Sequence, residues 1–160
     1  MPVVVSGLTL VATIFAGEYH TCATHTDGTA RCWGYNSSGQ LGDGTTTQRY
    51  TPTLVGGLAG ASLISAGTLH TCARVTDGTG RCWGNNGYGQ LGIGSTTSSA
   101  TPMVVSNLTG IAELSLGSNH SCALDGSAVL WCWGSNAQGQ LGNGASGAGH
   151  QSTVPLRPYL

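Results

Sequence analysis

His20-Thr21-Cys22-Ala23, then Thr26-Asp27-Gly28, then Arg31-Cys32-Trp33-Gly34, then Gly39-Gln40-Leu41-Gly42 is the stretch that decides the fold. It recurs as His70-Thr71-Cys72-Ala73, Thr76-Asp77-Gly78, Arg81-Cys82-Trp83-Gly84 and Gly89-Gln90-Leu91-Gly92. A third copy reads His120-Ser121-Cys122-Ala123, Trp131-Cys132-Trp133-Gly134 and Gly139-Gln140-Leu141-Gly142. Each offset is fifty residues, without drift, until Ala145-Ser146-Gly147-Ala148-Gly149 lengthens the third copy before Pro155. A fixed period of this length marks stacked supersecondary units. We therefore read one repeat domain over residues 1–160, with copies at about 1–50, 51–100 and 101–160.

Within a copy the signals are all β. Short runs of Val, Thr, Leu and aromatic residues are bounded by Gly, Asn and Asp, with no sustained 3.6-residue pattern. The second copy predicts four strands, near residues 63–66, 70–75, 80–83 and 101–105, as a propeller blade requires. Thr26-Asp27-Gly28 suits a three-residue hairpin connection, a type I turn with Gly in the left-handed position. That register sets Cys22 opposite Cys32, and Thr76-Asp77-Gly78 sets Cys72 opposite Cys82 likewise. In the third copy the Asp-Gly pair moves to Asp125-Gly126, so a different turn chemistry and a less defined register are expected there.

The six cysteines therefore fall into three cross-hairpin pairs, Cys22 with Cys32, Cys72 with Cys82 and Cys122 with Cys132. Opposed strand positions lie roughly 4.5–5.5 Å apart at Cα, within disulfide reach, and each bond would add roughly 2–3 kcal/mol. Disulfides lead over buried free thiols. Structural zinc prefers Cys-x2–4-Cys spacing, which is absent, and no cysteine stands beside a cationic activator. Bonded cysteines imply an oxidising, extracellular or cell-surface setting.

Composition bounds the partners. Of 160 residues, 27 are glycine and 7% are charged, lysine is absent, and the formal net charge is -1. Five scattered arginines form no basic stripe, which argues against nucleic acid and anionic membrane as partners. The apolar opening from Val3 to Gly17 lacks a positive start. Its Val5-Ser6-Gly7-Leu8-Thr9 recurs at Val55 and Val105, so it reads as the first repeat copy and not as a leader.

The long motif resembles the regulator of chromosome condensation (RCC1) repeat in its cysteine-bearing bacterial form, over nearly the whole chain. The resemblance implies four-stranded propeller blades, usually seven to a ring, whereas this chain has three. Three blades cannot close, and open ends expose apolar faces. The chain is thus expected to be a piece of a larger propeller, excised or engineered, or to complete a ring with itself, most simply as a dimer of six blades.

Candidate sites divide by whether they repeat. His20, His70 and His120 could in principle share a metal, but a residue recurring with the repeat more often serves the blade's own hydrogen bonding. Trp33, Trp83 and Trp133 read as packing. Gly39-Gln40-Leu41-Gly42 follows no strand-to-helix unit and is a poor nucleotide loop. Asp43, matched by Ile93 and Asn143, is a poor calcium ligand. Asn36, Asn107 and Asn119 begin glycosylation triplets. Positions that vary between copies are the candidate interaction surface, namely Tyr35, Tyr88, Trp131 and Gln138. No catalytic, cofactor or metal residues are assigned. The expected function is a non-enzymatic scaffold that binds an unidentified protein and itself; the alternatives are nucleotide exchange on a small GTPase, suggested by the family name, and inhibitor-type binding of a secreted enzyme.

Overall fold

The hairpin turn sets the geometry of every sheet. In the computed structural model, which describes residues 1–158, Gly28 N–H donates to the His25 carbonyl at 3.0 Å and His25 N–H to the Thr29 carbonyl at 2.8 Å. Gly28 and Gly78 take φ of +79° and +82°, the left-handed conformation this turn needs at its third position. The third copy makes the same turn. Ala128 N–H donates to the Asp125 carbonyl, and Ala128 itself sits at φ +59°. The expected change in turn chemistry is thus confined to side chains, and the register is unchanged. Asp125 caps the turn from its first position, accepting from Ser127 and Val129 N–H, where Asp27 and Asp77 cap from within it.

Three four-stranded antiparallel sheets result. The first orders β1 (Val11–Ala16), β2 (His20–His25), β3 (Ala30–Gly34) and β4 (Arg49–Leu54). The second orders β5 (Ala61–Ala66), β6 (His70–Val75), β7 (Gly80–Gly84) and β8 (Ser99–Val104). The third orders β9 (Ile111–Leu116), β10 (His120–Asp125), β11 (Leu130–Gly134) and β12 (Ser152–Leu156). This is the blade predicted from sequence, in a different phase from the repeat frame. The first two outer strands carry the Pro of the next copy, as Pro52 in β4 and Pro102 in β8, at a sheet edge where a missing N–H costs no ladder bond.

The turn also fixes the cysteines. Counting back from the hydrogen-bonded His25·Thr29 pair, Cys22·Cys32 falls on a non-hydrogen-bonded pair, where opposed Cα atoms come closest. All three pairs are bonded, with Cα atoms 4.1 Å apart.

The apolar core lies between the blades. One cluster joins Cys22, Ala30, Cys32 and Leu41 of the first blade to Val55, Leu58, Ala61, Ile64 and Trp83 of the second. A second joins Cys72, Cys82 and Leu91 to Val105, Leu108, Ile111 and Trp133. The first two disulfides therefore face the next blade, and the second and third blades turn their Trp back toward the previous one.

Candidate interaction faces

The seam between blades is built twice from the same parts. The Gly39-Gln40-Leu41-Gly42 loop points the Gln40 carbonyl at the second blade, where it accepts from Trp83 Nε1 at 2.9 Å and Thr71 Oγ1 at 2.8 Å. The Thr71 hydroxyl has one proton, spent on that carbonyl, so its 2.7 Å contact with His20 Nε2 requires the ring to donate. His20 is thereby held as the neutral Nε2–H tautomer. At the next seam the Gln90 carbonyl accepts from Trp133 Nε1 at 2.9 Å and Ser121 Oγ at 2.8 Å, and His70 Nε2 lies 2.9 Å from Ser121 Oγ. His20 and His70 thus serve hydrogen bonding, as their periodicity suggests, but across the seam and not within the blade.

Close approach makes glycine necessary in this loop. A Cβ on Gly42 would lie 2.7 Å from Trp83 Nε1, and one on Gly92 2.7 Å from Trp133 Nε1. The loop is pinned from behind by Asn36. Its Nδ2 donates to the Thr45 and Thr47 carbonyls, and its Oδ1 accepts from Leu41 N–H. Asn36 is fully buried, which removes it as a glycosylation acceptor. Asp43 is likewise occupied, paired with Arg49 at 2.7 Å.

Burial sets the electrostatics. Desolvation lowers the pKa of His20 to about 4 and that of His70 to about 3, with His20 and His120 adding a smaller repulsion at His70. His120 is lowered by burial alone. Its ring is only half-buried and, among the described residues, meets no hydroxyl from a following blade.

Two faces consequently carry half a seam each. On the first blade Thr21 and Trp33 are partly exposed, whereas Thr71 and Trp83 are fully buried. Around them Val5, Val11 and Ile14 face outward, and Ile14 is 63% exposed where its counterpart Ile64 is 2% exposed. On the third blade His120 and Gln140 are partly exposed where His70 and Gln90 are buried, beside Cys122, Leu130 and Leu141. One face offers the hydroxyl and indole; the other offers the imidazole and carbonyl.

The four candidate surface residues are spread over the three blades. Tyr35 lies on the first blade, edge-on to Tyr19 with ring centroids 6.1 Å apart, and the two line a cavity of about 590 Å³ with Gln48 and Leu69. Tyr88 is exposed on the second blade and Gln138 on the third. Trp131 is half-buried; its Nε1 donates to Asp125 Oδ2 at 2.9 Å, and Arg157 stacks over its ring at 4.8 Å. The seam residues Thr71, Trp83 and Gln40 were not singled out from sequence as a binding group. Their strict recurrence was the available signal.

Comparison with known proteins agrees with this architecture. Family models of the regulator of chromosome condensation (RCC1) repeat match residues 27–74 and 82–124, and a second model of the same repeat matches 11–40, 62–90 and 111–140. No curated protein matches the chain. Among solved structures, Prp20p from Saccharomyces cerevisiae is similar with a TM-score of 0.85 at 23% identity, covering 96% of this chain and 39% of that one. Human WBSCR16 is similar with a TM-score of 0.80 at 24% identity, covering 92% and 37%. The ectodomain of the Physcomitrella patens receptor kinase CR4 gives 0.53 at 20% identity, covering 94% and 37%. The chain thus spans under two-fifths of the length of these structures.

Proposed function

The chain belongs to the RCC1 repeat family, and from that premise we propose that it is a non-enzymatic protein-binding scaffold whose working surfaces are the two half-seams at its ends. The simplest occupant is a second copy, docked head to tail, so that two chains make a six-bladed ring. One observation carries this reading. The internal seams join His and Gln carbonyl to hydroxyl and indole, and the end faces hold those same groups in complementary halves. Heterologous contacts of this kind close into rings when the rotation per unit allows.

Protein partners also fit the similar structures, since Prp20p is described by its binding properties to Gsp1p and histones. The three bonded cysteine pairs support an extracellular or cell-surface location, where such bonds persist.

Sedimentation velocity over a concentration series tests self-association. A reversible dimer is expected, lost in Ile14→Asp, which places a charge at the centre of the exposed first-blade face. A monomer at every concentration overturns the ring.

A further inference from the structure

The third blade departs from the other two at the position that meets its neighbour. Ala30 and Gly80 stand at the start of β3 and β7, fully buried against the following blade. Ala30 shares its seam cluster with the equally small Ala61, the counterpart of Ile111; opposite Gly80 lies the large Ile111 itself. The second pairing leaves no slack, because a Cβ on Gly80 would come 2.8 Å from Ile111 Cδ1 and 3.1 Å from Val105 Cγ2. At each seam, then, one side is small enough for the other.

The third blade has Leu130 here, on the same strand face as Cys132 and 46% exposed. The residue it would meet on a first blade is Val11. Neither partner is small.

The backbone changes at the same place. Val55 N–H donates to the Ala30 carbonyl at 2.9 Å, and Val105 N–H to the Gly80 carbonyl at 3.0 Å. Counting from Gly134·Ser152, the equivalent of Val55 and Val105 is Pro158, which has no N–H to give the Leu130 carbonyl. The third blade keeps the polar groups of the half-seam, while its apolar half carries Leu130 in place of Ala or Gly and Pro158 in place of a valine N–H donor.

We propose that Leu130 is a size gate on the third blade's end face, so that this face docks the first blade of a second copy of the chain only loosely. This rests on the end-face reading above and deepens it by naming what sets partner choice. Overpacked apolar contacts weaken association without altering which groups hydrogen-bond, so specificity is gained through a clash.

The test compares the wild-type chain with Leu130→Ala by sedimentation velocity and native mass spectrometry. Leu130 is exposed in the single chain, so the substitution leaves the internal seams untouched. Leu130→Ala is expected to self-associate at least tenfold more tightly than wild type, and Ile14→Asp added to Leu130→Ala is expected to abolish the gain. The sign is diagnostic, because a leucine acting as a mere sticky patch would lose affinity on truncation. Equal or weaker association of Leu130→Ala, with the wild type still self-associating, overturns the gate and leaves the end-face reading standing. A wild-type monomer with a Leu130→Ala dimer upholds the gate and removes only the wild-type ring. Two monomers overturn both.

Discussion

The Thr71 hydroxyl joins three residues from two blades with a single proton. It gives that proton to the Gln40 carbonyl and accepts from His20 Nε2, and all three groups are buried. Thr71→Val keeps the shape and β-branching but strands the His20 donor and removes one of two donors to Gln40. Leaving a buried polar group unpaired costs about 1–3 kcal/mol. Thr71→Val is therefore expected to lower unfolding free energy by about 2 kcal/mol in urea titration, whereas Thr71→Ser, the residue found at position 121, stays within about 1 kcal/mol of wild type. The comparison separates the hydroxyl from the methyl, since serine keeps the first and loses the second. Sequence alone ranked His20 as a hydrogen-bonding residue but placed its partner inside the blade. The true partner is fifty-one residues away, and no local spacing reports on it.

Among elements, the central hairpin was the most legible. Turn residues fix register locally, so Thr26-Asp27-Gly28 was enough to pair Cys22 with Cys32. The third hairpin was read as different because its Asp-Gly moved. The backbone kept the turn and put Ala128 at φ +59°, where a Cβ crowds the following carbonyl. Flanking ladders and the Cys122–Cys132 bond over-determine the turn, which holds Ala128 there despite its preference. Ala128→Gly relieves that crowding and restores the residue present at positions 28 and 78. It is expected to raise stability by about 1 kcal/mol, read as a higher thermal midpoint, while Gly28→Ala in the first hairpin lowers it by a similar amount. The strands were legible too: those read near residues 63–66, 70–75, 80–83 and 101–105 lie on β5 to β8, the outer one beyond the fifty-residue frame of its copy.

For the whole molecule, the core lies between repeats, so strength depends on how many seams are closed. The fixed place of Trp83 after Cys82 in the repeat marked it as a packing residue, but did not show that it meets Cys22 and Ile64 across a seam. Three blades close two seams and leave the imidazole of His120 at an open one. Closing that seam would bury His120 as His70 is buried, where the pKa is lowered to about 3. In the single chain His120 is also lowered from 6.5, but it is only half-buried. Docking thus lowers the His120 pKa further, and between the docked and free values the free chain binds more protons. Proton uptake then favours dissociation, so association is at its full strength above the free-chain pKa and weakens as pH falls below it. Glu18, which would face Ser118 of the docked copy as it faces Thr68 within the chain, has its pKa lowered below 4.5 by the Thr68 and Tyr19 hydroxyls. Asp125, beside Arg157 on the third blade, is lowered below 3.8 by hydrogen bonds from Trp131 and Val129. Above pH 5 both carboxylates stay ionised, so neither supplies a pH dependence between 5.2 and 7.5. Sedimentation of Leu130→Ala at pH 7.5 and at pH 5.2 is expected to show weaker association at the lower pH, approaching about a hundredfold for each unit below the free-chain value, because the ring closes two seams and buries two His120 side chains. His120→Gln, which cannot take up a proton, is expected to flatten that dependence. A pH slope that persists unchanged in His120→Gln would place the titrating group elsewhere and remove His120 from the seam.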